Sequence, residues 1–99
     1  MSRMNDVIAL GEDMVLVELA EECCELGQIA LKITRIHEGR SPMPEAEARE
    51  KLVEEMGDVL AEIRIAKRLL TPAEVLRVHQ ISRDKEQRMY DRLLGGKKA

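Results

Sequence analysis

Leu19-Ala-Glu21-Glu22-Cys-Cys-Glu25-Leu26 decides how this sequence folds, because it sets three acids beside an apolar repeat. Leu19, Cys23, Leu26, Ala30 and Ile33 recur at steps of four and three, the helical period. At roughly 100° per residue, Glu22 falls at the edge of that stripe and Glu25 a little further round, with Glu18 on the same flank. Glu21 points to the remote side. The helix is expected from about Glu12 to Ile36.

Downstream, His37-Glu-Gly39-Arg-Ser-Pro42-Met-Pro44 reads as a turn. Gly39 can end one helix, and the two prolines forbid a continuous helix through them. A second long helix is expected from about Glu45 to Leu70, with Leu52, Met56, Val59, Leu60, Ile63 and Leu70 as its apolar stripe. Glu55, Asp58 and Glu62 follow along one side at steps of three and four. Gly57 in its interior costs about 1 kcal/mol relative to Ala, which close approach of a neighbouring backbone or ligand would justify. Thr71-Pro72-Ala-Glu74 starts a last helix, with Thr71 as cap, Pro72 in the first turn and Glu74 closing a capping box. That helix runs to about Leu94 and carries Val75, Leu76, Val78, Ile81, Met89 and Leu93. Before the hairpin, Ser2 to Gly11 reads as a short helix with Val7, Ile8 and Leu10, capped by Asn5 or Asp6. Residues 95–99 read as a frayed, flexible tail.

The bulk properties agree with this layout. The chain has 99 residues, one Tyr and no Phe or Trp, so its core must be built from Leu, Ile, Val, Met and Ala. That composition, with 35% charged residues, favours helices packed on helices. The expected fold is all-α: one domain over residues 1–99, a bundle built on a long antiparallel helix hairpin and completed by self-association. A net charge of −3 gives no general attraction to nucleic acid or anionic membranes. No apolar run reaches the roughly 20 residues of a membrane span, and the amino terminus lacks the apolar stretch of a signal peptide. Cys23 and Cys24 are adjacent, cannot easily bridge each other and lack metal-type spacing, so they read as small residues at a packed helix surface in a reducing cytoplasm. His37 and His79 fit structural or solvated roles.

If the two long helices pair, Glu22, Glu25, Glu55 and Asp58 converge. Clustered carboxylates repel and raise one another's pKa unless a positive charge intervenes. Mg²⁺ takes oxygen ligands and keeps waters that a phosphate can replace; with two ions such a site could polarise a phosphoryl group and activate water. On the last helix, Lys85, Arg88 and Arg92 form a basic stripe that can either grip phosphate or pair with Glu86 and Asp91. Lys32 and Arg35 extend the acid-bearing helix as further candidates for phosphate contact.

Glu21-Glu22-Cys-Cys-Glu25 followed by Glu55-Met-Gly-Asp58 resembles the E-E-x-x-E … E-x-x-D signature of the all-α nucleotide pyrophosphohydrolases, the superfamily of MazG, dimeric dUTPase and phosphoribosyl-ATP pyrophosphatase. The likeness extends to Leu19, Leu26, Gly57-Asp58-Val59-Leu60 and Lys85-x-x-Arg88, covers roughly Gly11 to Leu94, and is greatest for short MazG-like proteins, including many encoded by phages. The resemblance implies that Glu22, Glu25, Glu55 and Asp58 ligate Mg²⁺, with Mn²⁺ as a substitute, while Glu21 supports the site and Lys85 and Arg88 meet substrate phosphates. It implies cleavage of a nucleoside triphosphate between the α and β phosphates, and a homodimer or homotetramer with pockets shared between subunits. Phosphoribosyl-ATP or dUTP hydrolysis is the rival activity. A non-catalytic helical module that binds a protein or nucleotide is the rival class, and the intact acidic quartet argues against it.

Overall fold

The computed structural model describes residues 11–95 together with Asp6 and Ala9. Val7, Ile8, Leu10 and the Asn5 cap of the expected leading helix lie outside the described residues, as do residues 96–99 of the tail. Among the described residues the fold is all-α, with helices α1 (Glu12–His37), α2 (Glu45–Ala66) and α3 (Pro72–Leu93) and a 3-10 turn at Lys67–Leu69. No helix among them is long and apolar enough to cross a membrane. The chain divides into two units, Met1–Leu69 and Leu70–Ala99.

In the first unit α1 and α2 pair as a hairpin. Gly39 ends α1 as its sequence position implies, at φ 74°, where a side chain would be strained. The Gly39 N–H donates to the Ile36 carbonyl (3.0 Å) and the Arg40 N–H to the Arg35 carbonyl (2.8 Å). This is the paired closure of a Schellman motif. Pro44 then precedes α2, and its carbonyl accepts from the Ala48 N–H. Across the turn, His37 Nε2 lies 3.0 Å from a Glu45 carboxylate oxygen, and Arg49 Nε donates to the other at 3.0 Å. Arg49, opposed by desolvation and assisted by His37, holds the Glu45 carboxyl below its usual range.

The hairpin core keeps Leu19, Leu26, Ile33, Leu52 and Val59 of the expected stripes and corrects the positions between them. On α1 the seam is Val15, Leu19, Glu22, Leu26, Ile29, Ile33 and Ile36, all buried or half-buried, with Lys32 and Arg35 half-buried beside it, whereas Cys23 and Ala30 are exposed. On α2 it includes Ala48, Leu52, Glu55, Val59, Glu62 and Ala66, whereas Met56, Leu60 and Ile63 are exposed; α2 ends at Ala66, short of the expected Leu70, because a 3-10 turn follows, and Leu70 is exposed. Both seams alternate steps of four and three, the spacing of two helices packed along their length. A purely apolar stripe misses this register because three of its positions, Glu22, Glu55 and Glu62, hold acids. The apolar contact is strongest toward the turn, where Ile29, Ile33 and Ala48 are enclosed by Leu26, Ile36, Met43 and Leu52.

Residues one step past each seam position turn about 100° from it. Because the helices run antiparallel, those positions fall on the same side of the hairpin for both. On α1 they are Leu16, Ala20, Cys23, Gly27 and Ala30, and on α2 Val53, Met56, Leu60 and Ile63, with the polar Thr34, His37 and Arg49 confined to the turn end. All are exposed, Val53 at 64%, Met56 at 51% and Leu60 at 53%. Both cysteines are free thiols, so the packed surface expected for them is not formed within this chain. Residues one step before the seam line the opposite side: Met14, Glu18, Glu21, Glu25, Gln28, Lys32 and Arg35 from α1, and Glu47, Lys51, Glu54, Asp58, Ala61 and Ile65 from α2, most of them charged. The hairpin thus has an apolar side and a charged side. Gly57 belongs to neither, and a Cβ there would meet nothing within 4 Å; the close approach expected for it does not occur within the chain.

The second unit is α3. Its start follows the sequence reading: Thr71 Oγ1 accepts from the Glu74 N–H (3.2 Å) and the Glu74 carboxylate accepts from the Thr71 N–H (2.9 Å), with Pro72 in the first turn. Such a cap contributes about 1 kcal/mol. The helix buries no residue fully, and Leu76 and Ile81 are exposed.

Candidate metal centre

Antiparallel pairing sets Glu22 of α1 against Glu55 of α2 in the middle of the seam, and Glu25 joins them from the next turn of α1. One carboxylate oxygen from each of Glu22, Glu25 and Glu55 lies within 4.8 Å of the others. Glu22 and Glu55 are half-buried, and Oε2 of each is enclosed without a hydrogen-bond partner. A buried oxygen with no donor is costly. This is the feature by which the cluster differs from solvated helix acids.

Electrostatics record the cost. Desolvation first, then repulsion from Glu25, Asp58 and Glu55, pushes the Glu22 carboxyl from 4.5 up to about 7. Glu55 is raised as well, by desolvation and then by Glu25 and Asp58. One turn beyond Asp58, Glu62 is raised by desolvation, Glu18 and Asp58. A line of carboxyls therefore continues past the trio toward the open end of the hairpin.

Asp58 stands on the charged side, exposed and outside the trio, yet close enough to raise the pKa of Glu22, Glu55 and Glu62. Glu21 and Glu54 are exposed and outside the trio. Lys85 and Arg88 are exposed on α3, in the second unit. They make no ion pair among the described residues; on that helix Gln87 donates to Asp91 at 3.0 Å.

A groove of about 620 Å³ opens on the charged side, lined by Glu25, Gln28, Ile29, Lys32, Arg35, Met43, Lys51 and Glu55. It joins two edges of the acidic trio to three cations. Lys51 was not among the candidates read from the sequence. Its signal is its place one turn before Glu55, on the flank that the antiparallel partner Glu25 also occupies.

Carboxylate oxygens are hard donors of the kind Mg²⁺ and Mn²⁺ take. Glu22, Glu25 and Glu55 could each supply one, with Asp58 beside them. The opposing seam positions supply rigidity, and the open groove leaves room for water or a phosphate oxygen. Compared with known protein families, curated proteins and solved structures, the chain matches none.

Proposed function

We propose that the protein is a Mg²⁺-dependent nucleoside triphosphate pyrophosphohydrolase, splitting the α–β phosphate linkage to a monophosphate and pyrophosphate. One observation carries this reading. Two core positions of a thin hairpin hold Glu22 and Glu55, each with a buried oxygen that no protein donor meets. Leu at either position would add to the core, so the acids need a counterpart, and a divalent cation supplies it. The E-E-x-x-E … E-x-x-D pattern that the trio belongs to adds the reaction class.

Glu22, Glu25 and Glu55, with Asp58 adjacent, would hold the ion. When bound, Mg²⁺ supplies polarisation of phosphate oxygens and a more acidic water. The chain's own part is to fix three oxygens on two packed helices and to present the groove to the substrate. The seam's apolar neighbours, Leu26 and Val59, keep those backbones in register.

Release of pyrophosphate from a panel of ribo-, deoxy- and modified triphosphates, with Mg²⁺ and with chelator, is the deciding test. Release that needs the metal is expected, and including dUTP and phosphoribosyl-ATP separates the rival activities. If nothing in the panel is hydrolysed, the enzyme reading fails and the helical interaction module replaces it.

The apolar side supports a homo-oligomer. Small residues on α1 (Ala20, Cys23, Gly27, Ala30) lie beside large ones on α2 (Val53, Met56, Leu60, Ile63). A second copy turned by a two-fold axis sets large against small in both directions, the self-complementarity of a two-fold interface. On that side Val53, Met56 and Leu60 are each more than half exposed, a row of large apolar side chains that a second copy would cover. Sedimentation at micromolar concentration should therefore show a dimer or tetramer, and Leu60→Glu should shift it toward monomer with the helical signal kept. A wild-type monomer at that concentration would contradict this assembly.

A further inference from the structure

We propose that Lys32, Arg35 and Lys51 form an anion subsite that takes the pyrophosphate half of the substrate, so that the triphosphate lies along the groove with its leaving group toward the hairpin turn. This rests on the reading of the acidic trio as a Mg²⁺–triphosphate site. All three cations line the groove that Glu25 and Glu55 close at its other end. None of them makes an ion pair among the described residues.

The groove is thus acidic at one end and basic at the other. A simple cation suits only the first and a simple anion only the second, whereas a phosphate chain carrying a divalent ion suits both. The dimensions agree: Lys32 stands seven residues beyond Glu25, about 10 Å along the helix, a gap that a phosphate chain and the Lys32 side chain span together. Lys51 is one turn from Glu55. The groove has Ile29 and Met43 as apolar lining and no aromatic ring, so it offers a nucleobase no stacking surface. The phosphates, not the base, belong there.

The orientation has a chemical consequence. Hydrolysis consumes one water, breaks the bridging P–O bond and leaves added negative charge on pyrophosphate. Three cations around that product stabilise the charge as it develops, an effect that grows toward the transition state. The same contacts make pyrophosphate a product that competes for the groove. Arg35 can grip it with two donors, while Lys32 and Lys51 act as point charges.

The test is calorimetric binding of inorganic tripolyphosphate with Mg²⁺ to the full chain, which needs neither base nor turnover. Wild type is expected to bind, and Lys51→Gln and Arg35→Gln each to weaken binding about tenfold, with Lys51→Arg largely restoring it. Circular dichroism confirms that each variant is folded. Variants that bind like wild type, or a wild type that does not bind tripolyphosphate, overturn the subsite. Binding that depends on these residues in a protein without triphosphate hydrolysis keeps the subsite and removes the proposed activity. Hydrolysis with pyrophosphate inhibition unchanged in Arg35→Gln and Lys51→Gln does the reverse.

Discussion

Glu55→Gln is expected to lower pyrophosphate release by on the order of 10³-fold while leaving the helical signal intact. Glu55 sits in the seam opposite Glu22, and its oxygens meet both Glu22 and Glu25. Gln keeps the size of the side chain, so Leu52 and Val59 on the same seam should stay packed. It removes one negative charge and leaves a weaker oxygen donor for the ion. A bound metal supplies several kcal/mol to a phosphoryl-transfer transition state, and each 1.36 kcal/mol is a factor of ten. The comparison is Glu21→Gln, at an exposed position outside the trio, which should cost only a few-fold. Steady-state assays at saturating Mg²⁺ distinguish the two. Equal turnover in wild type and Glu55→Gln would remove Glu55 from the ligand set.

The second large effect is on stability. The folded protein holds a proton on Glu22 up to about pH 7, against an ordinary value of 4.5, because burial and then Glu25, Asp58 and Glu55 disfavour the charged form. The folded state therefore binds more protons than the unfolded one across that interval, and stability falls as pH rises through it. Glu55 and Glu62 are raised too and act in the same direction. Glu45, lowered chiefly by Arg49, acts oppositely and loses its contribution in acid. Metal-free protein should thus melt at a higher temperature near pH 5 than near pH 7.5. Mg²⁺ should recover the difference at pH 7.5 and do little at pH 5, where the carboxyls are protonated. Thermal melts at the two pH values, each with Mg²⁺ and with chelator, read this directly. A metal-free protein more stable at pH 7.5 than at pH 5 would show that the trio is not under the strain described.

The hairpin, its turn and the start of α3 were legible in the sequence because their signals are local. Gly39, Pro44 and Thr71-Pro72 each act through the backbone within a few residues. The seam was legible at Leu19, Leu26, Ile33, Leu52 and Val59 and missed where acids fill it. Cys23 and Met56 continue an apolar repeat as well as Glu22 and Glu55 interrupt one, and single-sequence periodicity prefers the apolar option. The acidic cluster could be found in spite of that slip, since spacing of three and four brings Glu22, Glu25 and Glu55 together in either register. What needed coordinates was depth. That Glu22 and Glu55 occupy the core line, while Asp58 stands outside it, depends on how α1 and α2 meet. Lys51 needed the pairing as well, because its place is defined by residues on the other helix.

The three acids in the seam also divide the hairpin as a folding unit. Toward the turn, the cluster of Ile29, Ile33 and Ala48 is joined by a short loop with its own backbone closure. Contacts so near in sequence have a low loop-closure cost and form early. Beyond the acids, Val15 and Val59 are the buried hydrophobics among the described residues, and that half must close across the clustered carboxyls. The turn end can serve as a nucleus, from which the far end would close like a zipper past the acids. A cation at the centre would therefore act as the clasp that joins two cooperative segments into one.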